Sequence, residues 1–219
     1  MEEEQIQNQE LLSRLSILFR QAYEFKDFTR ADDPAVLVCP HANECRFDPT
    51  RQFSMTPGLV SLSGDKSIMI VMESPYLPKS PGVKIGGDVS SWGEHNPYSE
   101  LFDLVRKAFP EHFIVATDVV KCGVSSIFDK SILASRRDHC LGLLLSNEIS
   151  ILNPELILCA GGHAFAEVQN LQRTRVISPT IPICPLVHPS RRVFMSRAKK
   201  MARWVDQLRA AASRIGEAP

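Results

Sequence analysis

The sequence predicts a three-layer α/β fold in which a four-stranded parallel sheet is flanked by helices. Short, nearly continuous apolar runs alternate along the chain with longer segments of helical periodicity. Apolar runs of this kind are typical of strands that are buried on both faces, as in parallel sheets. The chain has 219 residues, of which 44% are hydrophobic, so it is long enough to bury a sizeable core.

The elements follow one another in strand–helix order, which favours right-handed βαβ connections. Strands are predicted, in order, at Ser67–Met72, Phe113–Ala116, Leu156–Ala160 and Ile181–Val187. Helices are predicted at Tyr98–Phe109, at Ser135–Leu152 (ended by Asn153-Pro154), from about Ala164, and at Arg191–Ile215. A loop rich in proline and glycine follows the first strand to about Pro97.

Residues 1–219 are expected to form a single domain, with no boundary for a second one. Residues 1–28 have apolar positions at helical spacing and are predicted to form a leading helix. Residues 29–66 contain several prolines and are predicted to be an irregular loop region that carries Cys39 and Cys45. A loop of this length usually has a reason, such as a metal clip.

The formal net charge is zero, so no overall field attracts nucleic acid, but the charge is unevenly distributed. The first ten residues carry four glutamates and no base, whereas Arg191 to Arg214 contains eight Lys or Arg against one acid, Asp206. The basic stretch indicates either a polyanion-binding face or the solvated side of an amphipathic helix.

The sequence also indicates a compartment. The acidic, polar start does not resemble a signal peptide, and no apolar run reaches the roughly 18 residues of a membrane span. We therefore expect a cytoplasmic monomer with no membrane partner. In that compartment six cysteines favour free thiols, a metal or an iron–sulfur cluster over disulfides.

Polar side chains follow each predicted strand, and in a parallel sheet these positions meet at one edge. They are Glu73, Asp118, His163 and His188. Singly, a histidine after a strand is more often a capping or hydrogen-bonded residue than a catalyst. Together they predict a crevice in which a carboxylate orients water, a polar group reads a ligand and a histidine stabilises developing charge.

Four cysteines lie in irregular or element-terminal positions, namely Cys39, Cys45, Cys122 and Cys140. Four thiolates suit a [4Fe–4S] cluster or a tetrahedral zinc, although simple packing of scattered cysteines remains open. Cys159 and Cys184 lie inside apolar strands and are predicted to be buried core thiols.

Taken in order, these segments resemble the uracil-DNA glycosylase superfamily, most closely its iron–sulfur-containing family four, from about Cys39 to the terminal helix. Family four has Gly-Glu-Ala-Pro-Gly where residues 72–76 read Met-Glu-Ser-Pro-Tyr, and Thr-Asn-Val-Val-Lys-Cys where residues 117–122 read Thr-Asp-Val-Val-Lys-Cys. A later cysteine, a Pro-Glu-Leu-Ile strand with a glycine end, and His-Pro-Ser correspond to Cys140, residues 154–162 and residues 188–190. Residues 86–90 also look like the Gly-Asp-x-Ser segment of family five.

The resemblance implies a DNA glycosylase that flips a nucleotide out of DNA and hydrolyses its N-glycosidic bond. Glu73 would orient the water, with Asp88 as the second candidate, and His188 would donate a hydrogen bond to the departing base. Base contacts would come from Asp118, Tyr76 and Ser74, and phosphate contacts from Ser190, Arg191 and Arg192. A structural [4Fe–4S] cluster would be held by Cys39, Cys45, Cys122 and Cys140.

The chain departs from family four in several places. The first cysteine pair is C-x5-C rather than C-x-x-C, the motif glycines are replaced by Met72 and Tyr76, and the stacking phenylalanine is not evident near Ile85. Tyr76 resembles a tyrosine of the first glycosylase family that crowds the 5-position of a pyrimidine.

Asp118 is the departure with the clearest chemical consequence. An asparagine can both donate to and accept from uracil, whereas an ionised aspartate only accepts and suits the amine of cytosine. A protonated aspartate could serve both cytosine N3 and its amine. A wrong edge contact costs about 1–3 kcal/mol. We therefore expect uracil or a cytosine-like or modified cytosine base, in repair or in defence against phage DNA. A non-catalytic DNA- or base-binding protein and a zinc-stabilised nucleotide hydrolase are the alternatives.

Overall fold

The computed structural model of the protein describes residues 58–73, 98–120, 140–189 and 195–217. The strands are β1 (Gly58–Leu62), β2 (Lys66–Met72), β3 (His112–Asp118), β4 (Leu156–Ala160) and β5 (Ile183–Leu186). The helices are α1 (Ser99–Ala108), α2 (Ser146–Leu152), α3 (Gly162–Arg173) and α4 (Arg197–Arg214), and a π-helical turn, Leu141–Leu145, leads into α2. The predicted leading helix of residues 1–28 and most of the predicted loop 29–66 lie outside the described residues.

The strands form one five-stranded sheet in the order β1-β3-β2-β4-β5. Strands β2 to β5 are parallel to one another, as predicted, and β1 pairs antiparallel with β3. The prediction of a four-stranded, purely parallel sheet is therefore wrong at this edge, and so is the prediction that the loop region extends to residue 66. The sequence pattern does not predict β1, because the strand is short and its register shifts between Leu59 and Ser61.

A tight turn joins β1 to β2. Gly64 lies in this turn with φ +85°, and a Cβ added to it would lie 1.6 Å from the carbonyl oxygen of Glu111. Only glycine fits both this backbone conformation and this close approach.

Helices cover both faces of the sheet, which confirms the three-layer prediction for the described ranges. Alternate residues of β2 point to opposite faces: Ile68, Ile70 and Met72 pack in one apolar cluster, and Met69 and Val71 pack in the other. The first cluster includes residues of α1 and α4, and the second includes residues of α2 and α3.

Several element boundaries differ from the predicted ones. α4 begins at Arg197 rather than Arg191, because the Ser196 side chain accepts a hydrogen bond from the Lys199 backbone N–H and caps the helix there. α2 ends where predicted, at Asn153, which adopts the left-handed conformation with φ 44°. β5 is shorter than predicted and contains the exposed Pro185, which suits its position at the sheet edge.

No helix in the described part of the chain has the length and apolar character that crossing a membrane requires.

Candidate functional site

The carboxyl edge of the parallel strands gathers three of the four predicted strand-end residues. Glu73 directly follows β2, Asp118 ends β3, and His188 lies two residues after β5. Within the sheet, β3 lies next to β2 on one side and β4 lies next to β2 on the other side. The chain therefore goes from β2 to β3 and then crosses back past β2 to β4. The strand order therefore reverses beside β2, and ligand crevices of open α/β sheets lie at such reversals.

Glu73 and Asp118 are neighbours because β2 and β3 stay paired beyond their strand ends. Met72 is the register partner of Asp118. The backbone N–H of Val119 then donates to Met72 O at 2.8 Å, and that of Val120 donates to Glu73 O at 2.9 Å. The Asp118 residue is only 5% exposed, so its carboxyl group is buried at the strand end rather than displayed on the surface.

Tyr98, immediately before α1, contacts the predicted histidine. Its hydroxyl oxygen lies 3.3 Å from Nε2 of His188, and the two rings meet edge to face with centroids 5.9 Å apart. Burial raises the pKa of the Tyr98 phenol well above its usual range, and the negative charges of Asp118 and Glu73 raise it further. Tyr98 therefore stays a neutral phenol next to both carboxylates and the imidazole.

From the sequence, Tyr98 was predicted only to start a helix, and its contact with His188 was not predicted. The hydrogen-bonded pair is separated by 90 residues in the chain. The available signal was an aromatic residue with a polar tip next to a helix start. That signal does not identify a partner so far away.

His188 is positioned by the glycine end of β4. A Cβ added to Gly161 would lie 2.8 Å from Cδ2 of His188, and Gly161 has φ +111°. Burial lowers the pKa of His188, the nearby Lys200 ammonium lowers it further, and the carboxylate of Glu73 raises it. The imidazole is therefore neutral near pH 7 and carries one N–H donor.

A buried carboxylate supports the end of β3 from the opposite face of the sheet. Thr117 Oγ1 donates a hydrogen bond of 2.8 Å to Oε2 of Glu148 on α2, and both residues are fully buried. Because Thr117 directly precedes Asp118, this bond fixes the strand end that presents Asp118. The burial of Glu148 could not be predicted from the sequence, since a glutamate in a helix is usually exposed.

His163, the fourth predicted strand-end residue, lies exposed in the first turn of α3. Among the described residues it makes no side-chain hydrogen bond or ion pair with Glu73, Asp118 or His188. The prediction that His163 belongs to the crevice is wrong, because α3 begins at Gly162 and carries His163 into its own first turn. Directly after β4, the residue that lies against His188 is Gly161.

The remaining site predictions concern residues outside the described ranges. These are Ser74, Tyr76, Asp88, Ser190, Arg191 and Arg192, together with Cys39, Cys45 and Cys122. Their roles stay predictions.

Three cysteines are described. Cys159 and Cys184 are buried in β4 and β5, as predicted, and burial raises the pKa of the Cys159 thiol far above its usual range. Cys140 is buried at the start of the π-helical turn and forms no disulfide with another described cysteine. Within the described ranges no group of three or more His, Cys, Asp or Glu side chains is arranged to hold a metal.

The described side chains combine complementary chemical functions within one crevice. Glu73 can orient or deprotonate water, Asp118 can accept hydrogen bonds from a ligand, and the neutral His188 can donate one to developing negative charge. Lys200 adds a nearby positive charge. The arrangement suits a hydrolysis in which the leaving group departs as an anion.

Comparison with known proteins agrees with this chemistry. No curated protein matches the chain. The family model described as the uracil DNA glycosylase superfamily matches residues 92–209, a span that includes Tyr98, Asp118, Gly161 and His188. This match covers more than half of the 219 residues. With its strand-end crevice and this match, the chain belongs to the uracil DNA glycosylase superfamily, whose members are DNA glycosylases that act on DNA.

Proposed function

We propose that the protein is a DNA glycosylase that removes a flipped-out pyrimidine by hydrolysing its N-glycosidic bond and leaves an abasic site. One observation carries this proposal: Glu73, Asp118, Tyr98 and His188 converge at the strand ends of a sheet in a chain of this superfamily. A base inside duplex DNA is out of reach of such a crevice, so the nucleotide must rotate out of the stack to enter it.

The chemical step uses two of the described side chains. Glu73 orients a water molecule, whose oxygen bonds to the anomeric carbon of the sugar as the bond from that carbon to the base breaks. The electron pair of the broken bond leaves with the base, and a proton of the water passes to the carboxylate or to solvent. The neutral His188 donates its hydrogen bond to the base as negative charge develops there. Asp88 is the second candidate for the water-orienting role.

Asp118 reads the edge of the base in this proposal. As an ionised carboxylate it accepts from the exocyclic amine of cytosine and repels O4 of uracil. The favoured substrate is therefore cytosine or a modified cytosine, and ordinary uracil is the competing substrate. Ser74 and Tyr76 complete the base-binding set, and Ser190, Arg191 and Arg192 grip the phosphates beside it. Removal of a modified base from phage DNA would be one use, and repair the other.

An oligonucleotide panel tests the base. The purified protein is incubated with single- and double-stranded oligonucleotides that carry uracil, cytosine or modified cytosines, and abasic sites are revealed by alkali. We expect release from the cytosine-type substrates and a shift toward uracil in Asp118→Asn. Robust uracil release by the parent, with no cytosine-type release, would contradict the assignment of Asp118.

The same panel separates catalysis from binding. A protein that binds DNA or bases without catalysis would shift these oligonucleotides in a gel and leave no alkali-labile site. The replacements at Met72, Tyr76 and Asp118 are the features that favour this second candidate. His188→Gln is the matched variant for the assay, since it should abolish release while DNA binding persists.

We further propose that Cys39, Cys45, Cys122 and Cys140 hold a structural [4Fe–4S] cluster, as in family four. Cys140 suits the role of a thiolate ligand because it is buried at an element start and forms no disulfide with another described cysteine. The cluster would supply structural cross-linking, and no chemical step passes through it. Anaerobically purified protein should contain iron and acid-labile sulfide, with less of both in Cys140→Ser than in the core-thiol variant Cys184→Ser. Bound zinc without iron would contradict the proposal.

A further inference from the structure

Three side chains of α4 hydrogen-bond to the backbone on both sides of His188. Nε1 of Trp204 donates to Val187 O at 2.7 Å, and Oε1 of Gln207 accepts from the Val187 N–H at 3.0 Å. On the other side of His188, Nζ of Lys200 donates to Pro189 O at 3.0 Å. Side chains of α4 therefore bind the N–H and the carbonyl of Val187 and the carbonyl of Pro189.

The spacing on α4 explains how one helix reaches all three groups. Residues 200, 204 and 207 are four and then three positions apart, so they lie on one face of the helix. Trp204 is 1% exposed and Lys200 is 8% exposed. A lysine is rarely buried unless its ammonium has a specific partner, and here the partner is the backbone next to His188.

The imidazole itself is held from the other direction. Gly161 leaves room for the ring at the end of β4, and the Tyr98 hydroxyl meets Nε2. α4 thus fixes the backbone of residues 187–189, while β4 and the start of α1 fix the ring. The ammonium of Lys200 also acts on the imidazole through its charge.

We propose that Lys200, Trp204 and Gln207 form a backbone clamp that positions His188 for the reaction, and that Lys200 also supplies the positive charge that favours departure of an anionic base. The second part rests on the proposed function. None of the three residues needs to contact substrate, so they are positioning residues. A displacement of the imidazole by about 1 Å is enough to reduce a catalytic rate roughly 100-fold.

Paired variants of each clamp residue test the proposal. Lys200→Met, Trp204→Phe and Gln207→Met remove one clamp hydrogen bond each, and Lys200→Arg and Gln207→Glu keep a donor or an acceptor in place. Lys107→Met removes an exposed lysine from the last turn of α1 and serves as the charge control. Thermal melting confirms that each variant is folded.

In single-turnover base release at saturating enzyme, the three disruptive variants should be about 10- to 100-fold slower than the parent. Lys200→Arg and Gln207→Glu should recover much of the rate, and DNA affinity should change little. Equal rates in Lys200→Met and Lys107→Met would overturn the clamp. A loss of DNA affinity with an unchanged rate of release would also overturn it, because Lys200 would then act on phosphate.

A second readout needs no enzyme activity. Within the described ranges, the charged and titratable groups shown to act on His188 are Glu73, Tyr98 and Lys200, and NMR titration of the imidazole reports on them. Lys200→Met should raise the pKa of His188, since it removes a cation, and Lys107→Met should leave it unchanged. If the parent releases no base from any oligonucleotide, the proposed function fails while this titration still tests the electrostatic part of the proposal. An unchanged titration in Lys200→Met would overturn the placement of the Lys200 ammonium beside His188.

Discussion

His188 occupies an environment that opposes its protonation. Burial and the Lys200 ammonium both disfavour a second positive charge there, and the Glu73 carboxylate only partly offsets them. The neutral imidazole therefore contributes to the stability of the folded state. It is also the form that carries a single N–H donor.

The free energy of unfolding should accordingly depend on pH through this residue. Because the pKa of His188 is lowered in the folded protein, the unfolded chain takes up the proton first as pH falls. The contribution is fully present above the unfolded pKa of about 6.5 and is lost as pH falls through the folded pKa. Urea unfolding at several pH values should show a weaker loss of stability below about pH 6.5 in His188→Gln than in the parent. The exposed His163→Gln is the control, and an equal effect of the two variants would contradict the prediction.

Gly161 and Gly162 form a natural matched pair at the end of β4. A methyl group at Gly161 would press on the His188 ring at 2.8 Å and would require a side chain at φ +111°, whereas an added Cβ at Gly162 meets nothing within 4 Å. Gly161→Ala should lower the free energy of unfolding by about 1–3 kcal/mol and should reduce base release. Gly162→Ala should be nearly neutral in both assays. Similar behaviour of the two variants would contradict the proposed packing.

Individual residues of the candidate site could be predicted from the sequence only where they directly follow or end a strand. Glu73, Asp118 and His188 lie at the strand ends as predicted, and their roles stay predictions. Tyr98 and Lys200 were not, because a tyrosine at a helix start and a lysine in a basic helix have ordinary surface interpretations. Their roles depend on long-range packing, which no local pattern contains.

At the scale of elements, the end of β3 is supported from both faces of the sheet. Asp118 follows the alternation of Ile114 and Ala116 and so lies on the face covered by α1 and α4, and Thr117 faces α2. The hydrogen bond from Thr117 to Glu148 joins β3 to α2 in a buried position. A buried carboxylate depends on such a donor for its stability.

Removal of that donor should be costly. Thr117→Val keeps the shape of the side chain but removes its hydrogen bond to the buried carboxyl group of Glu148, which should lower the free energy of unfolding by about 1–3 kcal/mol. Thr174→Val, where an exposed hydroxyl bonds only to backbone carbonyls at the end of α3, should cost much less. Chemical denaturation measures both. Equal losses would show that the bond to Glu148 adds nothing specific.

The sequence predicted β2 and β4 almost to the residue, because their apolar runs are continuous and bounded by polar or turn-forming residues. The predicted β5 and α4 are too long, because apolar and helical periodicity continue beyond Ile183–Leu186 and before the Ser196 N-cap at which α4 begins. The π-helical turn before α2 has no periodic signature distinct from an α-helix, so it could not be separated from the helix that it begins.

At the scale of the whole molecule, the two edge strands of the described sheet, β5 and β1, differ in what they offer to a further strand. At one edge, β5 carries Pro185, which has no N–H to donate to a further strand. At the other edge, β1 covers β3, with Val60 buried at 4% exposure. The strand that ends in Asp118 is therefore an interior strand only because β1 is present.

This arrangement has a consequence for self-association. An uncovered strand presents unpaired backbone groups that recruit strands from other molecules. Val60→Asp should expel β1 from its apolar surroundings and expose β3, so light scattering should report concentration-dependent aggregates, whereas the exposed Ser63→Asp in the following turn should leave the parent's behaviour unchanged. The short strand β1, which the sequence pattern did not predict, would then prevent self-association through β3, the strand that ends in Asp118.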